Sequence, residues 1–278
     1  MIVTRPLTIG EIFDRAITLV VRHCPAVLVL AALFTAGAAI ENTLFFDDPR
    51  TPAGWLGYAV VEAVDDALGA VLLAILVAIL AGRATSLRGG WAALGGAAGL
   101  PIGAIALWTV GEFTVSCWYE FVPRPFDGVF GLDVLGRLFE HVVPAFVELE
   151  LALVLTFVVL EGTGVRQGLR TVSRSLRRTA VLALALAGVY FVADVATDLI
   201  VAFAPRAAYS AVWNVSAAIQ TGVEWTLTGA VAVVAMLDLQ LRSSGSDIEA
   251  ELDAAERYAN STVNASPTAI SPGVTTSQ

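Results

Sequence analysis

The chain has 278 residues, 57% of them hydrophobic and only 15% charged, with a formal net charge of −9. A soluble domain carries about 25% charged residues, so this composition excludes an ordinary cytosolic enzyme and points to a chain solvated by lipid. Every one of the 16 basic residues is Arg, and the charges gather in short clusters between long apolar runs.

In chain order, the first organised element is an amphipathic helix over residues 8–23. Thr8 and Glu11 have capping-box spacing, with Leu7 and Ile12 placed to form the hydrophobic staple around it. Glu11, Asp14, Arg15, Thr18 and Arg22 make a polar stripe, and Ile12, Phe13, Ala16, Ile17 and Val20 an apolar one. Such a helix is expected to lie in the membrane interface and turn into the first span.

A helix needs about 20 apolar residues to cross hydrocarbon, because its backbone polar groups must be satisfied internally there. Six segments meet this, some marginally: 25–40, 56–81, 100–118, 142–160, 179–203 and 212–239. Pro25, Pro101 and Pro144 fall near the expected helix starts, where a missing N–H costs little.

Between the fourth and fifth spans a second amphipathic segment sets Arg166, Arg170, Arg174 and Arg177 at helical spacing against Val165, Leu169, Val172 and Leu176. With Arg178 it is the most basic patch in the chain. At about 1 kcal/mol per Arg near an anionic surface, it suits contact with anionic lipid headgroups, although a purely topological anchor needs no more than this.

A weak repeat of about 80 residues also emerges. Thr8-Ile9-Gly10, Ser86-Leu87-Arg88 and Thr163-Gly164-Val165 each open a unit of one interfacial segment followed by two spans. Three hairpins in pseudo-threefold arrangement are the expected result. After residue 242 the composition turns polar: Asp247, Glu249, Glu251, Asp253 and Glu256 suit a short acidic helix to about Tyr258, followed by a disordered tail. Residues 1–242 are thus expected to form the membrane domain and 243–278 an acidic, largely disordered tail.

Arg in the flanking segments sets orientation. Twelve Arg fall on the side shared by both termini and four on the other, which predicts a multi-pass protein of the cell membrane with both ends cytoplasmic. Trp55, Tyr58, Trp118, Tyr119, Tyr209 and Trp213 mark the outer boundary. This topology puts Cys24 and Cys117 at opposite faces and argues against a disulfide between them.

Several motifs together resemble a known membrane family: LTIGEIFDR at 7–15, the Glu161-Gly162 run leading to LRTVSR at 169–174, and LDLQLR at 237–242 followed by DIE at 247–249. It is the membrane domain found N-terminal to the catalytic domain of some glycerophosphoryl diester phosphodiesterases, and also as stand-alone proteins. The resemblance covers Leu7 to about Leu252. It implies a six-span α-helical domain whose own activity is not established. Phosphodiesterase chemistry belongs to a separate soluble barrel that needs histidines and metal-binding carboxylates. No His follows the last expected span, so that activity is not expected here.

Charged residues within spans carry the functional signal, since an Asp at mid-helix costs about 2.5 to 3.5 kcal/mol on insertion scales. Glu62, Asp65 and Asp66 lie in the second span, Glu112 in the third, Glu148 and Glu150 in the fourth, Asp194 and Asp198 in the fifth and Glu224 in the sixth. All fall in the outer half or near the midplane, and no Arg appears among them in the expected spans. If their faces converge, Glu62, Asp65, Asp66, Glu148, Asp194, Asp198 and Glu224 form an outward-opening acidic vestibule that attracts cations. The alternative is that wet outer helix ends let the carboxylates reach the headgroups, the reading favoured for Glu62 and Glu112.

Metalloprotease, nucleophile-elbow and phosphate-loop motifs do not occur. The sequence is therefore read as an all-α, polytopic, non-enzymatic membrane protein: a six-helix bundle with interfacial helices, acting as a scaffold or accessory domain. The other reading is a transporter or channel for a cation or small solute. Neither a cofactor, a metal nor a nucleic-acid partner is expected; the bilayer, its anionic headgroups and a membrane-protein partner are.

Overall fold

In the computed structural model, residues 6–44, 52–96, 101–121, 133–162 and 164–264 are described. Among them the regular structure is entirely helical: α1 Ile9–Arg22, α2 Cys24–Leu44, α3 Pro52–Leu80, α4 Leu87–Ala93, α5 Ile102–Phe121, α6 Asp133–Glu161, α7 Val165–Ser173, α8 Leu176–Ala202 and α9 Tyr209–Asn264, with a short 3-10 turn before α9. Four segments, Ala59–Leu80, Gly136–Glu161, Leu176–Ala202 and Tyr209–Arg242, are long and apolar enough to cross a membrane. Counting the bent pair of α1 and α2 as one makes five, and the apolar part of α5, Ile102–Val115, is shorter.

Local sequence explains the helix boundaries. Thr8 Oγ1 accepts the Glu11 N–H at 3.3 Å while Glu11 Oε2 accepts the Thr8 N–H at 2.8 Å, so the capping box forms as its spacing predicts. The helix then breaks at His23, and α1 and α2 meet at 96°. Pro25 is the physical reason, since it has no N–H to give to the carbonyl of Val21. Of the predicted apolar stripe, Ile12 and Ala16 are buried but Ile17 is exposed.

The long helices sort into an inner and an outer set. α3, α6 and α9 pack against one another, and each carries a stretch buried on all sides: Leu73 to Leu80, Ala152 to Leu155 and Ala230 to Met236. α2, α5 and α8 surround them. In a bilayer no hydrophobic force separates helix from lipid, so small residues that permit close backbone approach take over the packing. Ala70, Ala74, Ala152, Ala230 and Ala232 do this here, all fully buried. Gly222 is the extreme case, since a Cβ there would lie 2.8 Å from the carbonyl oxygen of Ala31 on α2.

The contacts repeat three times in a ring. Each outer helix packs on its own inner partner (α2 on α3, α5 on α6, α8 on α9) and on the inner helix of the preceding unit (α2 on α9, α5 on α3, α8 on α6). The short helices follow the same rule, with α1 on α9, α4 on α3 and α7 on α6. Four residues after the caps Thr8, Ser86 and Gly164 stand Ile12, Gly90 and Gly168, all buried. Gly90 abuts Ile75 and Gly168 abuts Val154, each with a Cβ that would sit 3.4 Å from the facing carbonyl oxygen. The 80-residue repeat of the sequence is therefore a repeat of packing.

Three boundaries differ from expectation. α6 begins at Asp133 and carries Pro144 inside it; the apolar stretch from Val142 hides the earlier, more polar turns. The segment predicted as one basic helix divides at Arg174 and Ser175 into α7 and the start of α8, and Leu169 and Leu176 of its expected apolar stripe are exposed. Finally, α9 continues without a break from its apolar part to Asn264, through the composition change after residue 242; residues 265–278 lie outside the described part.

Candidate functional site

Asp238 apart, the carboxylates of the long apolar helices lie toward the end of the bundle opposite Arg178 and Arg242. On α3, Glu62 and Asp66 are one turn apart, share a face and are buried. α5 contributes Glu112, only 7% exposed. α6 brings Glu148, and α9 brings Glu224, both partly buried. Glu112 stands within electrostatic reach of Glu148, Asp66 and Glu62, and Glu224 within reach of Glu148 and Asp194. Of the seven expected vestibule residues, Glu62, Asp66, Glu148 and Glu224 thus lie near one another, together with Glu112, and Glu62 and Glu112, for which a headgroup position was favoured, are buried.

Neutral hydrogen-bonding groups line the same volume. Tyr190, buried on α8, donates its hydroxyl to Glu148 Oε2 at 2.9 Å and bonds Thr228 on α9. Gln220 Nε2 donates to Glu224 Oε1 at 2.9 Å, and Thr197 Oγ1 donates to Gln220 Oε1 at 2.8 Å. These contacts fix a regular antiparallel register between α8 and α9, since 190 meets 228 and 197 meets 220. Even so, Asp66 Oδ2, Glu112 Oε1 and Glu150 Oε1 are buried with no hydrogen-bond partner among the described residues.

Asp194 and Asp198 behave differently. Both reach Arg137 on α6, Asp198 in a direct hydrogen bond and Asp194 at 3.6 Å, and Asp194 also stands 3.7 Å from His141 Nε2. Arg137 therefore does accompany the acids, contrary to the expectation that no Arg would. The early start of α6 is the cause, because it lifts Arg137 from a connection onto the helix that faces α8. The three side chains are one-third to one-half exposed, so they form a rim to the buried acids rather than part of their interior. Asp65, on the neighbouring face of α3, turns to α2 beside Gly37.

The Arg-rich end holds a site that reading the spans for charge overlooked. Asp238 on α9 is fully buried and accepts three hydrogen bonds: from the Leu7 N–H at 2.7 Å, from Arg178 Nε at 2.9 Å and from Arg242 Nε at 2.9 Å. Both Arg side chains also donate to the Leu7 carbonyl, Arg242 at 3.1 Å. The available signal was Asp238 four residues before Arg242 in an apolar run. Arg178 is drawn inward by this cluster, whereas Arg166, Arg170, Arg174 and Arg177 are exposed.

Among the described residues, no three carboxylate, imidazole or thiol groups come together in the manner of metal ligands. The side chains of Cys117, Trp55, Tyr58, Trp118 and Tyr119 lie outside the described residues; Cys24 is exposed. Comparison of the chain with family models, curated proteins and solved structures finds no match.

Proposed function

We propose that the chain is a six-span, non-enzymatic protein of the cell membrane that moves a cation or small solute, exchanging protons or cations on its interior carboxylates. The observation that carries this reading is the gathering of Glu62, Asp66, Glu112, Glu148 and Glu224 from four helices within electrostatic reach of one another, with Asp66 and Glu112 each keeping a buried oxygen that has no hydrogen-bond partner among the described residues. Carboxylates inside a membrane are expensive, and repulsion among several of them is relieved by a proton or a cation. A bundle held together only by packing has no use for them.

In the proposed topology the bent α1 and α2 pair supplies the first span and α5 the third, which brings the number to six, with the Arg-rich end cytoplasmic by the Arg asymmetry. Arg166, Arg170, Arg174 and Arg177 rest on anionic headgroups there.

Purified protein in liposomes with a trapped pH dye tests the transport reading. A cation or pH gradient is expected to drive proton movement that a Glu112→Gln, Glu148→Gln, Glu224→Gln variant loses at least tenfold. Movement equal to that of empty liposomes, or unchanged by the triple substitution, rejects the reading.

A second reading, a scaffold or accessory domain, is favoured by the continuation of α9 to Asn264 with Asp247, Glu249, Glu251, Asp253 and Glu256 along it, and by the resemblance to membrane domains attached to phosphodiesterases. Crosslinking in native membranes that recovers no partner through this segment counts against it.

A further inference from the structure

A cavity lies beside the interior acids, between α2, α3 and α9, with a volume of about 350 Å³. Its walls are Leu33, Phe34, Leu72 and Trp225 among other apolar groups, and among the described residues Asp65 is the one ionisable group that lines it. Leu33 and Leu68, which also line it, are 44% and 57% exposed on the outside of the bundle. The cavity therefore reaches the surface that lipid covers. Its volume falls within the range of small-molecule sites, about 300 to 1,000 Å³, which are mostly apolar with few placed polar groups.

Two glycines shape it. A Cβ at Gly37 would stand 2.5 Å from Asp65 Oδ1, so only glycine leaves the carboxylate its place against α2. A Cβ at Gly69 would stand 1.8 and 2.0 Å from Cζ3 and Cη2 of Trp225, so glycine there lets the edge of the indole lie against α3. The indole is then fixed edge-to-face by Phe34, with ring centroids 4.9 Å apart, and by Trp108 at 5.6 Å. The cavity thus holds a carboxylate, with no cationic side chain among its described lining residues, together with a rigid aromatic wall.

We propose that this cavity binds an organic ammonium ion bearing an apolar chain, entering from the bilayer between α2 and α3. Asp65 supplies the counter-charge, the Trp225 ring attracts the cation through its quadrupole, and Leu33, Leu68 and Leu72 receive the chain. A fatty acid carries the wrong charge for Asp65, and a neutral alcohol gains only a hydrogen bond from it. The inference does not rest on transport, since it concerns binding alone.

Protein in lipid nanodiscs, titrated with radiolabelled dodecyltrimethylammonium and, separately, with dodecanol, provides the test, with empty nanodiscs subtracted. Saturable binding of the ammonium is expected, at least tenfold tighter than dodecanol, with quenching of indole fluorescence that Trp225→Phe removes. Asp65→Asn, close to isosteric and checked for monodisperse elution, is expected to erase the preference for the ammonium. Leu72→Trp, which fills the chamber and leaves the carboxylate in place, is expected to weaken binding of the ammonium as well. Equal binding of dodecanol and the ammonium would mean an ordinary lipid-filled crevice and overturn the proposal, as would Asp65→Asn behaving like wild type. Either result leaves the interior carboxylates, read by flux, untouched.

Discussion

Asp238 and Glu112 are both nearly inaccessible carboxylates in the same bundle, yet their surroundings are opposites. Asp238 has two guanidinium groups and a backbone N–H upon it, and both guanidiniums go on to the Leu7 carbonyl. Glu112 has three other acids within electrostatic reach and an oxygen with no partner among the described residues. A buried charge that is fully neutralised and hydrogen-bonded serves architecture, because removing any partner strands the rest. One kept among like charges is costly to the fold, which is the ground of the transport reading proposed above.

The contrast can be broken or sharpened by substitution, read as thermal unfolding in detergent by tryptophan fluorescence. Asp238→Ala should be the most damaging, since it strands two guanidiniums and the Leu7 N–H. Breaking a buried pair of this kind costs about 3 to 5 kcal/mol, so the variant is expected to unfold at markedly lower temperature or not to accumulate. A stable Asp238→Ala protein would end the architectural reading. Tyr190→Phe comes next: it removes a buried hydroxyl from Glu148 and Thr228, and a buried group left unsatisfied costs about 1 to 3 kcal/mol. Arg137→Gln should cost less, under about 1 kcal/mol, because its bonds to Asp194 and Asp198 lie on a half-exposed rim. Smallest of all is Glu112→Gln, expected to leave stability unchanged or slightly raised while flux falls. A large loss of stability from Glu112→Gln would make the two regions alike and remove the reason to read the acids as functional.

Much of this was legible in the chain. Amphipathic periodicity and a capping box marked α1, and the spacing of short openings before hairpins marked the triple repeat, because each unit must build the same packing surface. The acids were legible by cost alone, since an Asp in an apolar run is conspicuous. What stayed hidden was pairing across elements. Arg137 read as a loop residue because hydropathy rises only at Val142, whereas α6 starts at Asp133. Asp238 read as part of an end motif because nothing local says that Leu7, 231 residues earlier, supplies a donor. Glu62 and Glu112 read as headgroup-facing because depth is visible in a sequence and azimuth around a bundle of unknown order is not.

The ring of three units has one seam, where the first unit meets the last: α1 and α2 pack on α9, and Asp238 and Arg242 hold Leu7 there. Ribosomal synthesis delivers these partners at opposite ends of its timetable. α1 and α2 are made with most of their partner surface, that on α9, still to come, and they wait through the synthesis of every other helix. The Leu7 clasp is then the last joint to close, which makes its formation a signal that the whole chain has been threaded in correct order. A chain released before Asp238 is made would leave the Leu7 N–H and carbonyl at this seam without their partners.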